Sequence, residues 1–432
     1  MSGACRRSAS SLGRRKMTPR RSTVGRTTIL MVTGAYYPEV SGASLQCRQL
    51  IRALRDRVSC AVLTTSSDAS LRSEDEVDGV PVYRVRVDVT RPWSKVKATV
   101  RMAWILMRLR GQVDVVHLHG FSQKSLLVVA FARIFHKKVV LKLTSAGDDD
   151  PLAIRKRGRM AFRQYAKADL FIGVSQGLEM LYQAAGFPAD KFLLIPNGVD
   201  VTRFRPRSRE EQRALRAELG LPNSLFLILF VGFFSREKCP DVLVDAWVRL
   251  QETGVPATGL LLVGATRGPY HEIDPALAGS IREQASRRGF ESRLIFVEHT
   301  QEIEKFYGAA DLFALPSLRE GLPNALLEAM ASGLPCIASR LSGITDTIIE
   351  DGINGWLIPP GDRFALERGL RAIIEAPDRA RDIGRRARTT IEERYAIAHV
   401  ATRYAQAYRR LRETGARDHS LSSMPGYPCA ES

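Results

Sequence analysis

The chain has 432 residues, with apolar and charged fractions of 45% and 25% that are ordinary for a globular protein, and a formal net charge of +18. That length accommodates two or three domains with sizeable cores. No apolar run reaches the roughly 18 residues a membrane-spanning helix needs, and the six scattered cysteines, with no C-x-x-C pair, argue against a disulfide framework or a zinc site.

Residues 1–26 hold eight Lys or Arg and no acid. They read as a disordered basic tail, solvated or resting on an anionic surface. Interleaved aromatics, which nucleic-acid binding favours, are missing there, so no nucleic-acid partner is expected. The tail has no apolar core of a secretory signal, Met17 offers a second start, and a cytoplasmic protein is expected.

From residue 27 short β-rich runs alternate with helical stretches. The runs are TTILMVTG (27–34), CAVLTT (60–65), PVYRVRV (81–87), DVVHLHG (114–120), KVVLKLT (138–144), DLFIGVS (169–175) and KFLLIPNG (191–198). Near-continuous apolar strands between helices predict a parallel sheet covered on both faces. Asn197-Gly198 is a turn signal and sets a boundary near residue 200. A second series follows: LFLILFVG (225–232), GLLLVG (259–264), RLIFVE (293–298), DLFALPS (311–317), LPCIAS (334–339) and GWLIPPG (355–361). The expected fold is α/β, two tandem Rossmann-like doubly wound domains over 27–200 and 201–392. A helix within 393–415 is expected to cross back to the first domain, and a frayed tail over 416–432. Ligands of such sheets bind beyond the carboxyl ends of the strands, here in a cleft between the domains.

The stretch PSLREGLPNALLEAMASGLP (316–335) carries two glutamates, Glu320 and Glu328. In one continuous helix they would stand about 80° and two turns apart, facing different targets. Pro323 forbids that helix. Strand, loop, then a helix starting near Pro323 and ending at Gly333 fits better. Glu320 then stands on the loop and Glu328 in the second turn, both able to point into one pocket. The helix start offers unpaired N–H groups to a phosphate, and Gly321 allows close backbone approach. Carboxylates on both sides suit a ligand with vicinal hydroxyls at each end, such as a nucleotide sugar. The plainer reading is that Glu320 complements the helix dipole and Glu328 is solvated.

EGLPNALLEAMASGLPCIAS resembles the E-x7-E signature of retaining, nucleotide-sugar-dependent glycosyltransferases of the GT-B architecture, family four. ADLFIGVSQGLEMLYQAAGFPADKFLLIPNGVDVTRF (168–204), VGFFSREKCPDVLVDAW (231–247), SGITDTIIEDGINGWLIPPGD and YYPEVSGAS are similar to further family segments, in order, over about residues 28–400. The resemblance implies that Glu328 binds the donor ribose and Glu320 the donor sugar. The backbone of Asn324, Ala325 and Leu326 would meet the diphosphate. Lys238 would neutralise the departing nucleoside diphosphate, a role that also follows from the charge developed as the bond breaks. Gly42 would bring helix amides near the same phosphate, and His119 would stand by the transferred sugar; a strand-end histidine with a structural hydrogen bond is the alternative for His119. The implied reaction is metal-independent transfer with retention, needing no cofactor, with a UDP-sugar favoured over a GDP-sugar as donor. The acidic run GDDD (147–150) reads as a solvated loop.

The chain departs from the family pattern in places. Phe233 stands where an arginine is usual, and Arg236 is the expected substitute. Ser41-Gly42 replaces Gly-Gly, SAG (145–147) replaces a histidine-glycine pair, and Asp346 replaces a late glutamate. Residues 91–110 hold six Lys or Arg, Trp93, Trp104 and no acid. That helix either packs on the sheet with its basic residues solvated or lies on an anionic membrane; one face can serve each end. The acceptor implied is lipid-linked or a glycan, in glycolipid or surface-polysaccharide synthesis at the inner membrane face. A sugar-nucleotide epimerase of the same architecture and a non-catalytic scaffold are the competing readings.

Overall fold

The computed structural model describes residues 26–413, except 40, 89, 253, 268–272 and 299. The expectations for the two tails concern residues outside this range, Arg26 apart.

The first half builds an eight-stranded sheet from β1 (Thr28–Thr33), β2 (Ser59–Ser66), β3 (Glu74–Val77), β4 (Val80–Arg86), β5 (Val115–His119), β6 (Lys138–Leu143), β7 (Leu170–Gly173) and β8 (Phe192–Leu194). Its order is β3-β4-β2-β1-β5-β6-β7-β8, and every pairing is parallel except β3 with β4. The hairpin strand β3 was not expected from its acidic sequence. The Asp78-Gly79 turn makes it: both residues have positive φ (55° and 78°), the conformation that tight hairpins need.

The second half builds a six-stranded, all-parallel sheet from β9 (Phe226–Val231), β10 (Thr258–Val263), β11 (Leu294–Val297), β12 (Leu312–Leu315), β13 (Cys336–Ser339) and β14 (Trp356–Ile358), in the order β11-β10-β9-β12-β13-β14. Alternate residues of each central strand face opposite layers. In β1, Leu30 and Val32 join one core while Ile29 and Met31 join another. In β9, Leu227 and Leu229 separate from Ile228 and Phe230 in the same way. Both faces are apolar, so these strands read as unbroken apolar runs.

Two chain crossings join the halves. They run side by side: Val199 donates its amide to Tyr395 (2.9 Å), and Ile397 donates to Val199 (2.9 Å). After the second crossing, the helix Ile397–Glu413 lies on the first domain. Its Tyr404, Tyr408 and Leu411 pack with Cys47, Leu50 and Leu54 of the helix Gly42–Leu54.

Strand order reverses between β1 and β5 in one sheet and between β9 and β12 in the other. These are the points where an open α/β sheet leaves a crevice. The segments that leave β1, β5, β9 and β12 carry Gly42, His119, Lys238 and Glu320, and the two crevices face each other.

Candidate active site

The cleft between the domains encloses about 980 Å³, the upper range for small-molecule sites. Of the residues singled out in the sequence, Gly42, His119, Lys238, Glu320, Gly321, Asn324, Ala325 and Glu328 all line it.

The helix Asn324–Ala331 starts directly after Pro323 and ends at Ser332, with Gly333 in the left-handed region (φ 73°). This is the Pro-start, Gly-end asymmetry expected of a helix. Its first amides open onto the cleft. The amide of Leu326 is an exception to the sequence-based expectation: it already donates to Pro323 (3.1 Å), and its side chain is buried in the core. Asn324 and Ala325 are the residues of this turn that line the cavity.

Glu320 is buried, and both its oxygens accept from Lys238 Nζ at 2.6 Å. Glu328 lies further along the same wall, where Tyr307 donates to its Oε2 (3.0 Å). Burial pushes the Glu328 carboxyl up to about 7, against the pull of the Tyr307 hydrogen bond and the Arg203 charge. Arg203, also in the cavity wall, is itself held by Glu304 (2.7 Å).

His119 ends β5 beneath the cleft, stacked on His117 with centroids 4.4 Å apart. Both its ring nitrogens are buried without a hydrogen-bond partner among the described residues. Desolvation, aided by His117 and Lys142, holds it well below the ordinary histidine value, so the ring is neutral. A neutral ring with an unused donor and acceptor at a cavity wall is equipped to bond a ligand hydroxyl. The structural hydrogen bond offered as its alternative is not made.

Gly321 is glycine for a reason other than phosphate approach. A Cβ there would fall 1.8 Å from the carbonyl oxygen of Thr144 in the opposite domain. The Thr144 loop is built by the acidic run read as solvated. Asp149 and Asp150 are in fact buried. Asp149 accepts from the amides of Thr144 and Ser145, and Asp150 accepts from Gly147 and caps the helix Pro151–Lys156. Carboxylates here replace the missing backbone partners of a tight loop.

Arg236 does not reach the site. Its side chain is 75% exposed and pairs with Asp274 (3.0 Å), the N-cap of the helix Pro275–Arg287. Phe233 lines the cavity at the position where an arginine was expected. Asp346 sits on a short 3-10 turn, bonded to the amide of Ile344 and away from the cavity lining.

Comparison with known proteins agrees with this architecture. Residues 211–390 match the family described as glycosyl transferases group 1, and residues 41–198 match the glycosyl transferase 4-like domain. The chain thus joins a glycosyl transferase 4-like domain to a group 1 glycosyl transferase domain. This glycosyltransferase is 29% identical over 313 residues to a D-inositol 3-phosphate glycosyltransferase of Nocardia farcinica, covering 70% of this chain and 67% of the relative. It is 24% identical over 404 residues to an uncharacterised glycosyltransferase of Methanocaldococcus jannaschii, covering 88% and 97%. Its fold matches Anabaena HepE, solved with UDP and glucose (TM-score 0.74, 21% identity, 89% of this chain and 100% of that one). It matches sucrose-phosphate synthase of Thermosynechococcus elongatus equally well (TM-score 0.75, 21% identity, 90% and 100%).

Among the residues of the glycosyltransferase's cleft that escaped the sequence reading are Lys142, Asn197 and Arg319; Tyr307, which backs Glu328 from behind the lining, escaped it too. Lys142 left a trace, a lone charge inside the apolar strand KVVLKL. Arg319 bridges the domains, donating to Glu237 (2.7 Å) on its own side and to the carbonyl of Ala146 (2.6 Å) across the cleft. Among the described residues no group of three or more His, Cys, Asp or Glu is gathered in a way that could hold a metal ion.

Proposed function

We propose that the enzyme transfers a sugar, with retention, from a nucleoside-diphosphate sugar to an acceptor presented at a membrane surface. The observation that carries this reading is the line of groups along one cleft wall. Glu328 lies at one end, the open turn of the helix Asn324–Ala331 in the middle, and Lys238 with Glu320 at the other. A nucleotide sugar has ribose, diphosphate and hexose in the same order. Glu328 accepts from the ribose diol. The helix turn and Lys238 take the diphosphate, and Glu320 and His119 take sugar hydroxyls. HepE, solved with UDP and glucose, supports the donor class by its fold.

In the reaction the sugar C1–O bond to the diphosphate breaks, and the acceptor oxygen bonds C1 on the same face. The acceptor proton goes to the departing phosphate oxygen. Lys238 and the helix dipoles stabilise the charge that develops there.

The acceptor side rests on the helix Pro92–Leu109. Its Ala98, Met102, Ile105, Leu106 and Leu109 are buried, while Trp93, Val96, Val100, Trp104 and Met107 are exposed along the opposite face. Steps of three and four residues align that second stripe. Exposed Lys95 and Lys97 flank it, and the segment 151–167, reached across the helix Gln123–Ile134, exposes six more basic residues. An apolar stripe with Trp and a basic surround fits an anionic lipid surface. Among the described residues no helix is long and apolar enough to cross a membrane.

The test is a thermal-shift titration with UDP, GDP, ADP and CMP, with Glu328→Ala and Lys238→Ala alongside. A ligand at 100-fold excess over its Kd adds about 2.7 kcal/mol of stability. Stabilisation by one nucleoside diphosphate, lost in both variants, is expected. A folded protein that responds to none overturns the reading.

A further inference from the structure

We infer that Lys142 is a positioning residue that sets the direction of a side-chain relay ending in an N–H donor at the diphosphate position in the middle of the cleft. The inference rests on the donor reading above.

The relay runs across both domains. Lys142 Nζ, on β6, donates to Asn197 Oδ1 at 2.8 Å. Asn197 Nδ2 donates to Asn324 Oδ1 at 2.8 Å. Asn324 Nδ2 then points toward the carbonyl of Gly42, 3.5 Å away. Asn324 and Gly42 are the first residues of the two helices whose N-termini converge on the cleft.

An ammonium group only donates, whereas a carboxamide both donates and accepts. Lys142 therefore compels Asn197 to turn its oxygen inward and its NH2 toward Asn324. Asn324 must then accept with its oxygen, which leaves its NH2 at the cleft. At 3.5 Å the bond to Gly42 is long, so this NH2 remains available to an anionic ligand. Were the relay reversed, Asn324 would present a carbonyl oxygen to the phosphate and repel it.

The placement of Lys142 is costly, which points to a purpose. The residue is 3% exposed, and the one hydrogen bond of its ammonium among the described residues is the one to Asn197. Asp149, Cys47, His117, His119 and the Tyr404 ring surround it, and burial lowers its ammonium to about 8. A buried cation with so few partners destabilises a fold. Methionine would fill the space without that cost.

The experiment is a double-mutant cycle read by calorimetry. UDP and GDP serve as diphosphate probes, and uridine and guanosine as phosphate-free controls. Lys142→Met and Asn324→Ala are each expected to weaken the nucleoside diphosphate by about tenfold, the loss of one hydrogen bond to a charged group. Nucleoside affinity should not change. The double variant should bind no more weakly than either single one, because both remove the same terminal donor.

Additive losses would mean that Lys142 acts through its charge alone, and unaltered single variants would mean that it does not act on the ligand. Either outcome overturns the relay and leaves the donor reading standing. A wild-type protein that binds neither UDP nor GDP overturns both. If Lys142→Met fails to fold, Asn197→Ala takes its place in the same cycle, with the same expectations.

Discussion

Lys238 and Glu320 neutralise each other: the ammonium lies 2.6 Å from each carboxylate oxygen, and the Glu320 side chain is only 7% exposed. Each therefore occupies the position its partner's charge dictates. Removing Lys238 leaves Glu320 buried and unpaired, which costs more than removing both. A double-mutant cycle on Lys238→Met and Glu320→Gln should show coupling of about 1–3 kcal/mol in stability. Turnover of the double variant should be no lower than that of the worse single one.

Two shifted groups bracket the working pH. Glu328 is raised to about 7, so it ionises, and accepts fully from a diol, only as pH rises through that value. Lys142 is lowered to about 8, so it loses its proton above that value; a neutral amine can accept as well as donate, and the relay loses its direction. Nucleoside diphosphate affinity should climb toward about pH 7 and decline beyond about pH 8. Calorimetry across pH checks this. Glu328→Gln should reduce the acid limb to the part set by the ligand's own terminal phosphate, which ionises at about pH 6, and Lys142→Met should flatten the alkaline limb. Tyr307, Arg203 and Glu304 face Glu328 and set where its limb falls.

Gly321→Ala should separate the domains. The added carbon would meet the backbone carbonyl of Thr144 at 1.8 Å, and because a Cβ is fixed by its own backbone, no rotamer change relieves the clash. The two crevices would part by a fraction of a helix turn. Turnover should fall by about 100-fold, as expected when reacting groups are misplaced by an ångström. Small-angle scattering should show a larger radius, with each domain's fold intact.

Arg236→Ala should leave donor affinity unchanged within about twofold. Its pair with Asp274 is exposed, and exposed pairs contribute little.

Binding to phosphatidylglycerol vesicles should fall at least about tenfold in a Trp93→Ser, Trp104→Ser variant, from the lost burial of two large side chains. Flotation reads this directly. Equal binding to neutral phosphatidylcholine vesicles would remove the electrostatic half of the argument.

The strands and the cleft were legible because parallel sheets bury both faces, so apolar runs and glycine-ended loops locate them. The turn chemistry around Pro323 and the resemblance to family segments then identified which loops matter. The relations between side chains were not legible. Arg236 and Lys238 are two residues apart on one turn, yet the first side chain ends on Asp274 and the second on Glu320, partners that lie 38 and 82 positions further along the chain. Asp149 looked like surface charge because sequence gives no sign that a loop lacks backbone partners. Asn197 looked like a turn residue and is one, but its amide also joins two domains. Tyr307 lies 21 positions before Glu328 on a separate helix, a distance over which no spacing rule operates.

The paired crossings at Val199 and Ile397 give the molecule a spine. Two strands of chain bonded side by side resist shear and twist far better than one, so the remaining freedom is a swing about that edge. In such a swing displacement grows with distance from the pivot. Asn197 lies two residues from Val199, close to the axis, and moves least. The seam where Gly321 meets Thr144 is a separate contact between the two leaves, and it parts when they swing. Substrate entry and product exit are then expected at that seam, while the helix turn at Asn324 stays registered, and an enzyme hinged this way can open without first surrendering its hold on the nucleotide.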